Sequence, residues 1–199
     1  MTWPASLPST TSCGASRYAT EATSKLPISA RVSTLPCSSI ALVAEAEGRI
    51  IAACCIGIFE DGKPRTNPTW VPCYDEMFVQ ATEMAKTADA KLEGSLFGDS
   101  REKATADRFA ATGNEYAQGQ LNLIIIVPEW QGKGLGRALI NLARAELAQA
   151  GCTKFFLMSD CNSDWQFYEH LKMKRILEDH SQDTGDGFIV YMYGGDTQD

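Results

Sequence analysis

The run Val127-Pro128-Glu129-Trp130-Gln131-Gly132-Lys133-Gly134-Leu135-Gly136-Arg137 carries the clearest chemistry in the chain. It follows the apolar stretch 121–126 and precedes a helical pattern over residues 138–150. A buried strand therefore runs into a glycine-rich turn, which opens a helix. The first turn of a helix leaves backbone N–H groups unpaired and presents the positive end of the macrodipole. Glycines let that backbone approach a ligand closely. Together these features make a site for a phosphorylated ligand, and Lys133 and Arg137 add positive charge beside it.

The spacing is neither of the two commonest phosphate loops. No Gly-Lys-Ser/Thr ending is present, so a P-loop reading fails. Gly132, Gly134 and Gly136 alternate, whereas a dinucleotide fingerprint needs G-x-G-x-x-G, which disfavours a nucleotide-binding oxidoreductase. The pattern Gln131-x-x-Gly134-x-Gly136 instead resembles the acetyl-CoA signature of the GNAT family of N-acetyltransferases, Q/R-x-x-G-x-G/A. Pro128 and Leu139 sit where that family usually has them. A second block supports the resemblance. After the short apolar strand 155–158, a polar loop leads to Phe167-Tyr168-Glu169 and Met173, similar to the family's F-Y-E-x-x-G-F/M. Lys172 replaces the usual glycine, so a different cap is expected there. Ser163-Asp164-Trp165 reads as the start of that helix, with Ser163 as N-cap and acidic support.

The resemblance implies a set of roles. Backbone groups of Ile124, Ile125 and Ile126 would hydrogen-bond the pantetheine arm and thioester carbonyl of acetyl-CoA. Gln131, Gly132, Lys133, Gly134, Leu135, Gly136 and Arg137 would hold the pyrophosphate. Asn162 would bond the pantetheine amide, although it lies six residues before Tyr168, one fewer than usual in the family. Tyr168 would be the general acid that protonates the leaving thiolate, in a cleft where strands four and five splay. Tyrosine titrates near 10 in the absence of perturbation, so it holds its proton at neutral pH. The general base is not legible. Many relatives carry Glu eight residues before the proline, where this chain has Gln120. Glu115, Asp160 and the pair Asp75-Glu76 remain as carboxylates, and Cys161 lies near the expected thioester. His170 is expected to face solvent.

At 199 residues one domain is the default, and the resemblance implies that it is an acetyltransferase domain. Hydrophobic residues make up 44% of the chain, enough for a core. The net charge of −7 argues against a nucleic-acid partner. No stretch approaches the ~20 apolar residues of a membrane span. Seven cysteines and two histidines show no metal-ligand or disulfide spacing, so no metal is expected and reduced thiols suit a cytoplasmic setting. Residues 1–40 are rich in Ser and Thr and poor in acids, which leaves an organelle transit peptide as the alternative.

Residues 40–46 and 49–59 read as a hairpin joined at Glu47-Gly48. Residues 64–119 are too long for an unstructured loop. Helical spacing over 75–90 and 101–111, with Trp70, Tyr74, Phe97 and Tyr116 nearby, predicts a helical insertion that caps the fold and shapes an acceptor pocket. The cofactor strand, 119–127, reads as buried on both faces. Residues 135–150 form an amphipathic helix with Leu135, Leu139, Leu142, Ala143 and Leu147 inward, ended by Gly151. A last strand, 188–193, alternates Phe188, Val190 and Met192. The expected fold is α/β, a mixed central sheet flanked by helices, with the insertion before the cofactor strand.

The implied function is transfer of an acetyl group from acetyl-CoA to a primary amine of a small molecule or peptide, by direct attack. The alternative is a catalytically impaired CoA-binding regulatory or structural protein on the same fold, which Gln120 favours. Neither membrane nor nucleic acid is an expected partner, and a homodimer remains open.

Overall fold

The computed structural model describes residues 37–68, 79, 83 and 99–198. The expected helix over 75–90 (but for Val79 and Glu83), the aromatics Trp70, Tyr74 and Phe97, and the N-terminal segment before residue 37 lie outside the described residues.

Seven strands form one sheet among the described residues. In chain order they are β1 (Ile40–Ala46), β2 (Arg49–Glu60), β3 (Lys63–Pro64), β4 (Gly119–Ile126), β5 (Lys154–Asp160), β6 (Lys174–Asp179) and β7 (Val190–Asp196). Their spatial order is β1-β2-β4-β5-β7-β6, with β3 on β2. All pairs are antiparallel except β4 with β5. The β1–β2 hairpin turns at Glu47 (φ 55°) and Gly48 (φ 68°). Positive φ at both central residues is the turn whose twist matches the strands it joins.

Helices α1 (Asp99–Ala111), α2 (Leu135–Gln149) and α3 (Gln166–His170) complete the described elements, with a 3₁₀ turn at Pro128–Trp130. This is the expected mixed α/β architecture. One face of the sheet joins Ala52, Cys54 and Ile56 of β2 to Leu139, Ala143 and Leu147 of α2 in one buried cluster. The other face carries Phe156 and Met192 with Ala106 of α1. The Phe109 ring of α1 meets the Phe156 ring edge-on at 5.1 Å. Covered on both faces, β2 is buried from Ile51 through Ile58.

Several details depart from the sequence reading. Leu142 is 39% exposed, and Ile140 takes the inward place. The helix presents its stripe one residue off the expected set because Gly136 and Ile140 face the sheet together. The last strand does not alternate: Val190 through Gly195 are all buried. It lies between β5 and β6, so both of its edges are paired and both faces covered. β6 had no counterpart in the sequence reading. Four of the six residues in its Lys-Arg-Ile-Leu-Glu-Asp run are charged, as a part-exposed strand at the sheet edge permits.

The α3 terminus corrects two further expectations. Ser163 does not cap it: the helix begins at Gln166, Trp165 occupies the N-cap position, and no side chain caps it. At the other end Lys172 adopts φ +59°, the left-handed conformation usual for glycine. Lys172 N donates to Glu169 O at 2.8 Å and Met173 N to Tyr168 O at 3.1 Å. This is the Schellman pattern that a glycine would give. The cap is therefore the ordinary one, held by a residue that bears the steric cost of the left-handed region.

α1 is tied to the far edge of the sheet. Thr105 Oγ1 donates to Asp179 Oδ2 at 2.7 Å, and Arg108 Nη2 donates to the same oxygen at 2.5 Å. Arg101 pairs with Asp186 at 2.8 Å. Burial alone would raise the Asp179 carboxyl, but hydrogen bonds from Ser181 and Thr105 and the Arg108 charge outweigh it and hold the carboxyl at about 2. The folded value lies below the unfolded one. The stabilisation is therefore complete above the unfolded value near 3.9 and lost as pH falls through the folded value. Asp179→Asn is expected to cost about 1 kcal/mol at pH 7, discounted because Arg108 is half exposed. Urea titrations of wild type and variant should converge between about pH 4 and pH 2.

Candidate active site

The site begins with an irregularity in β4. Cys55 pairs with Leu123 and Ile56 with Leu121, so Asn122 is an extra residue opposite the β2 ladder. Such a bulge bends its strand and sharpens the local twist. On its other side, β4 pairs with β5 only at Gln120–Phe156 and Leu121–Leu157. Beyond the bulge the two parallel strands separate, although both continue, to Ile126 and Asp160. The separation leaves a free strand edge in the middle of a sheet, and unpaired backbone groups along such an edge are ready to bond an extended ligand. It also explains why β4 is buried over its first three residues and not beyond, against the expectation of burial throughout.

The gap is a cleft of about 860 Å³. Its walls come from the outer half of β4, the turn before α2, Met158 and Ser159 of β5, and Phe167 and Tyr168 of α3. The turn is built as the sequence suggests. Pro128–Trp130 makes a 3₁₀ turn, and Gln131 N donates to Pro128 O at 3.1 Å. Gln131 Nε2 donates to Ile126 O at 3.0 Å, which fastens the turn to the end of β4. Gly134 is the N-cap of α2 with φ +83°, and Gly132 has φ +69°. A Cβ at either would meet nothing within 4 Å. Open space lies in front of this backbone. Gly136 has a different reason to be glycine: a Cβ there would stand 2.8 Å from Phe167 Cζ. It lets α2 and α3 approach closely at the head of the cleft.

Tyr168 is half-buried, 5.3 Å from the Phe167 ring and 5.5 Å from the Tyr193 ring, centroid to centroid. Burial, reinforced by the nearby Glu102 carboxylate, pushes its hydroxyl up to about 12. It therefore stays protonated throughout the neutral range. No hydrogen bond to its hydroxyl occurs among the described residues.

Nine of the sequence-derived site residues line this one cleft: Ile124, Ile126, Gln131, Gly132, Gly134, Leu135, Gly136, Arg137 and Tyr168. Three do not. The Ile125 side chain is exposed; on β4 it falls between Ile124 and Ile126 and points to the opposite face. Lys133 is exposed, with its Nζ 4.7 Å from the Trp130 ring. Asn162 is exposed in a turn where its N donates to Asp160 Oδ1 at 2.6 Å. That bond engages Asp160 in its own loop. Glu115 pairs with Lys154 at 3.2 Å, and Cys161 Sγ lies 3.7 Å from Gly187 O. None of these three lines the cleft, and Asp75 and Glu76 lie outside the described residues. Gln120 is 4% exposed within the sheet. His170, expected to face solvent only, is exposed at the cleft margin. Sequence reasoning missed Glu102 of α1, which lines the cleft. Its only signal was a place in the first turn of an expected helix, and nothing local marked it.

Residues 100–172 match the family model described as an acetyltransferase (GNAT) domain. That stretch is similar to a GNAT domain. The match runs from α1 through the cofactor-type turn to the end of α3, so it covers every wall of the cleft. No curated protein sequence matches the chain. Among solved structures, it is similar to an N-acetyltransferase from Staphylococcus aureus Mu50, at 12% identity and TM-score 0.43, over 80% of this chain and 68% of that one. It is similar to the ribosomal-protein-S18-alanine N-acetyltransferase from Escherichia coli, at 14% identity and TM-score 0.43, over 79% and 68%. A third, yncA from Salmonella typhimurium with its cofactor acetyl-CoA, is 12% identical with TM-score 0.44, over 80% and 65%.

Proposed function

We propose that this chain is an N-acetyltransferase that moves the acetyl group of acetyl-CoA to a primary amine of a small molecule or peptide, by direct attack in a ternary complex. One observation carries the reading: the glycine turn, the free edge of β4 and the Tyr168 hydroxyl line a single cleft. The turn and the first amides of α2, with Arg137, hold the pyrophosphate. Backbone groups of Ile124, Ile125 and Ile126 bond the pantetheine arm as they would a neighbouring strand. The arm then ends with its thioester beside Tyr168, which holds a proton for the departing sulfur. We read residues 1–199 as one acetyltransferase domain, with residues 64–119 as the insertion that contributes α1. Among the described residues Cys54, Cys55, Cys152 and Cys161 are thiols, which suits a reducing cytoplasm, and no described helix is long and apolar enough to cross a membrane.

A second reading, a CoA-binding protein without turnover, is favoured by Gln120, which cannot take a proton. Two measurements on the full-length protein separate the readings. Acetyl-CoA at about 100 times its dissociation constant should stabilise the fold by ~2.7 kcal/mol, which raises the melting temperature by roughly 5–10 °C for a chain of this size. NAD should leave it unchanged. Free-thiol release with a panel of primary amines then reads turnover. No melting shift with acetyl-CoA would refute both readings; a shift without thiol release against any amine would leave the second.

A further inference from the structure

The cleft opens to both faces of the sheet. The glycine turn and α2 stand on one face, whereas α1 packs on the other, with Ala106 against Phe156 and Met192. A donor held by the turn occupies the first side, so the amine must reach the thioester from the side of α1. Glu102, in the first turn of α1, lines the cleft there. Of the carboxylates weighed from the sequence, the two that lie among the described residues, Glu115 and Asp160, do not line the cleft, and position 120 is an amide. Asp164, the other acid on the cleft wall, sits beside the start of α3 and is exposed.

A second observation points to an N–H donor in the same place. Asn122 Nδ2 donates to Cys37 O at 3.0 Å and Ser38 Oγ at 2.9 Å. A carbonyl can only accept, so these bonds fix which way the amide faces. Asn122 Oδ1 is left buried with no partner, and Asn122 lines the cleft. An unsatisfied buried acceptor costs about 1–3 kcal/mol. An N–H donor that reached it from the cleft would remove that cost.

We propose that Glu102 is the general base of the acetyl transfer, taking a proton from the acceptor ammonium, with Asn122 Oδ1 orienting the amine; this rests on the acetyltransferase reading above. An alkylammonium titrates near 10.4, so at pH 7 it enters protonated. Glu102 takes one proton and passes it to water. The freed nitrogen lone pair forms the N–C bond as the carbonyl π pair moves to oxygen. When the carbonyl re-forms, the C–S bond breaks and the electrons leave on sulfur. Tyr168 protonates the thiolate and is itself restored by the second proton lost from nitrogen. The net products are an amide, a free thiol and one proton. The two residues act in sequence, Glu102 on the entering ammonium and Tyr168 on the departing thiolate. α1 carries Glu102 on a fixed support, held by the Thr105 and Arg108 bonds to Asp179.

The test compares wild type with Glu102→Gln, using 1,4-diaminobutane and a peptide with a free N-terminus as probe amines. Calorimetry with acetyl-CoA comes first and should give equal affinity for both proteins, which shows the variant folded with an intact donor site. Thiol release by Glu102→Gln should then fall about 10²–10⁴-fold in kcat/KM at pH 7. Its rate should climb with pH toward the wild type as the amine deprotonates on its own, whereas Glu102→Asp should keep part of the activity and the wild-type profile shape. Calorimetric titration of the amine into the complex with CoA should show weaker binding for Glu102→Gln, independent of turnover. Wild-type rates and pH profile in Glu102→Gln would overturn the base assignment while leaving the acetyltransferase reading in place. Wild-type protein that releases no thiol with either amine would overturn both.

Discussion

Gly134→Asp is expected to abolish acetyl-CoA binding while leaving the fold intact. Gly134 is the N-cap of α2 with φ +83°, and the space its Cβ would enter is open. A side chain there would stand in front of the backbone that we assign to the pyrophosphate, and a carboxylate would repel it. The fold should tolerate the change. Asp is among the few residues that visit the left-handed region, at a cost of about 1–2 kcal/mol, and an acid at a helix N-terminus recovers some of that cost. Gly134→Asn gives the same shape without the charge. Calorimetry should show affinity reduced in Gly134→Asn and lost in Gly134→Asp, with both melting cooperatively. Micromolar affinity in a folded Gly134→Asp protein would remove the turn from the site. Gly136→Asp is not an equivalent test, because its Cβ would collide with Phe167 and shift α3 itself.

Tyr168→Phe should lower kcat by about 10²–10⁴, the usual range for a lost general acid. The low end is expected. A hydroxyl pushed up to about 12 is a weak donor to a thiolate whose conjugate acid titrates near 8.5, so its advantage over water is limited. The ring contacts with Phe167 and Tyr193 survive the change. KM for acetyl-CoA and stability should therefore move little, the latter by about 1 kcal/mol at most. Because the hydroxyl keeps its proton, the wild-type kcat profile should show no loss of this acid below about pH 11. Single-turnover measurements, where chemistry is limiting, decide the matter. An unchanged rate would leave Tyr168 as a packing residue and assign the thiolate's proton to solvent.

The residues around the turn were legible because their constraints are local. Gly132 and Gly134 need positive φ, Pro128 starts a 3₁₀ turn, and the stripe of α2 follows from its own periodicity. Gly151 ends α2 as the sequence indicated, with Cys152 N donating to Leu147 O at 2.9 Å. The pairing of that turn with Phe167 and Tyr168 was legible as a resemblance, and the family match over residues 100–172 bears the family out.

What the tertiary structure alone decided depends on pairing between distant segments. The bulge at Asn122 exists only because β2 fixes a register on either side of it, and no local signal in Gln-Leu-Asn-Leu marks it. The cleft follows from that bulge, since it turns β4 away from β5 after two shared pairs. The burial of β7 on both faces, and the left-handed Lys172, likewise depend on neighbours that the local pattern does not name. Glu102 is the clearest case. Along the chain it is one acid among many at the start of a helix, sixty-six residues before Tyr168. It reaches the Tyr168 cleft because Ala106 and Phe109 seat α1 on Phe156 while Asp179 holds its side. Local sequence thus determined the half of the cleft that we assign to the donor, whose physics is backbone conformation. The half that we assign to the acceptor is side-chain charge brought together across the sheet, and only the fold could place it.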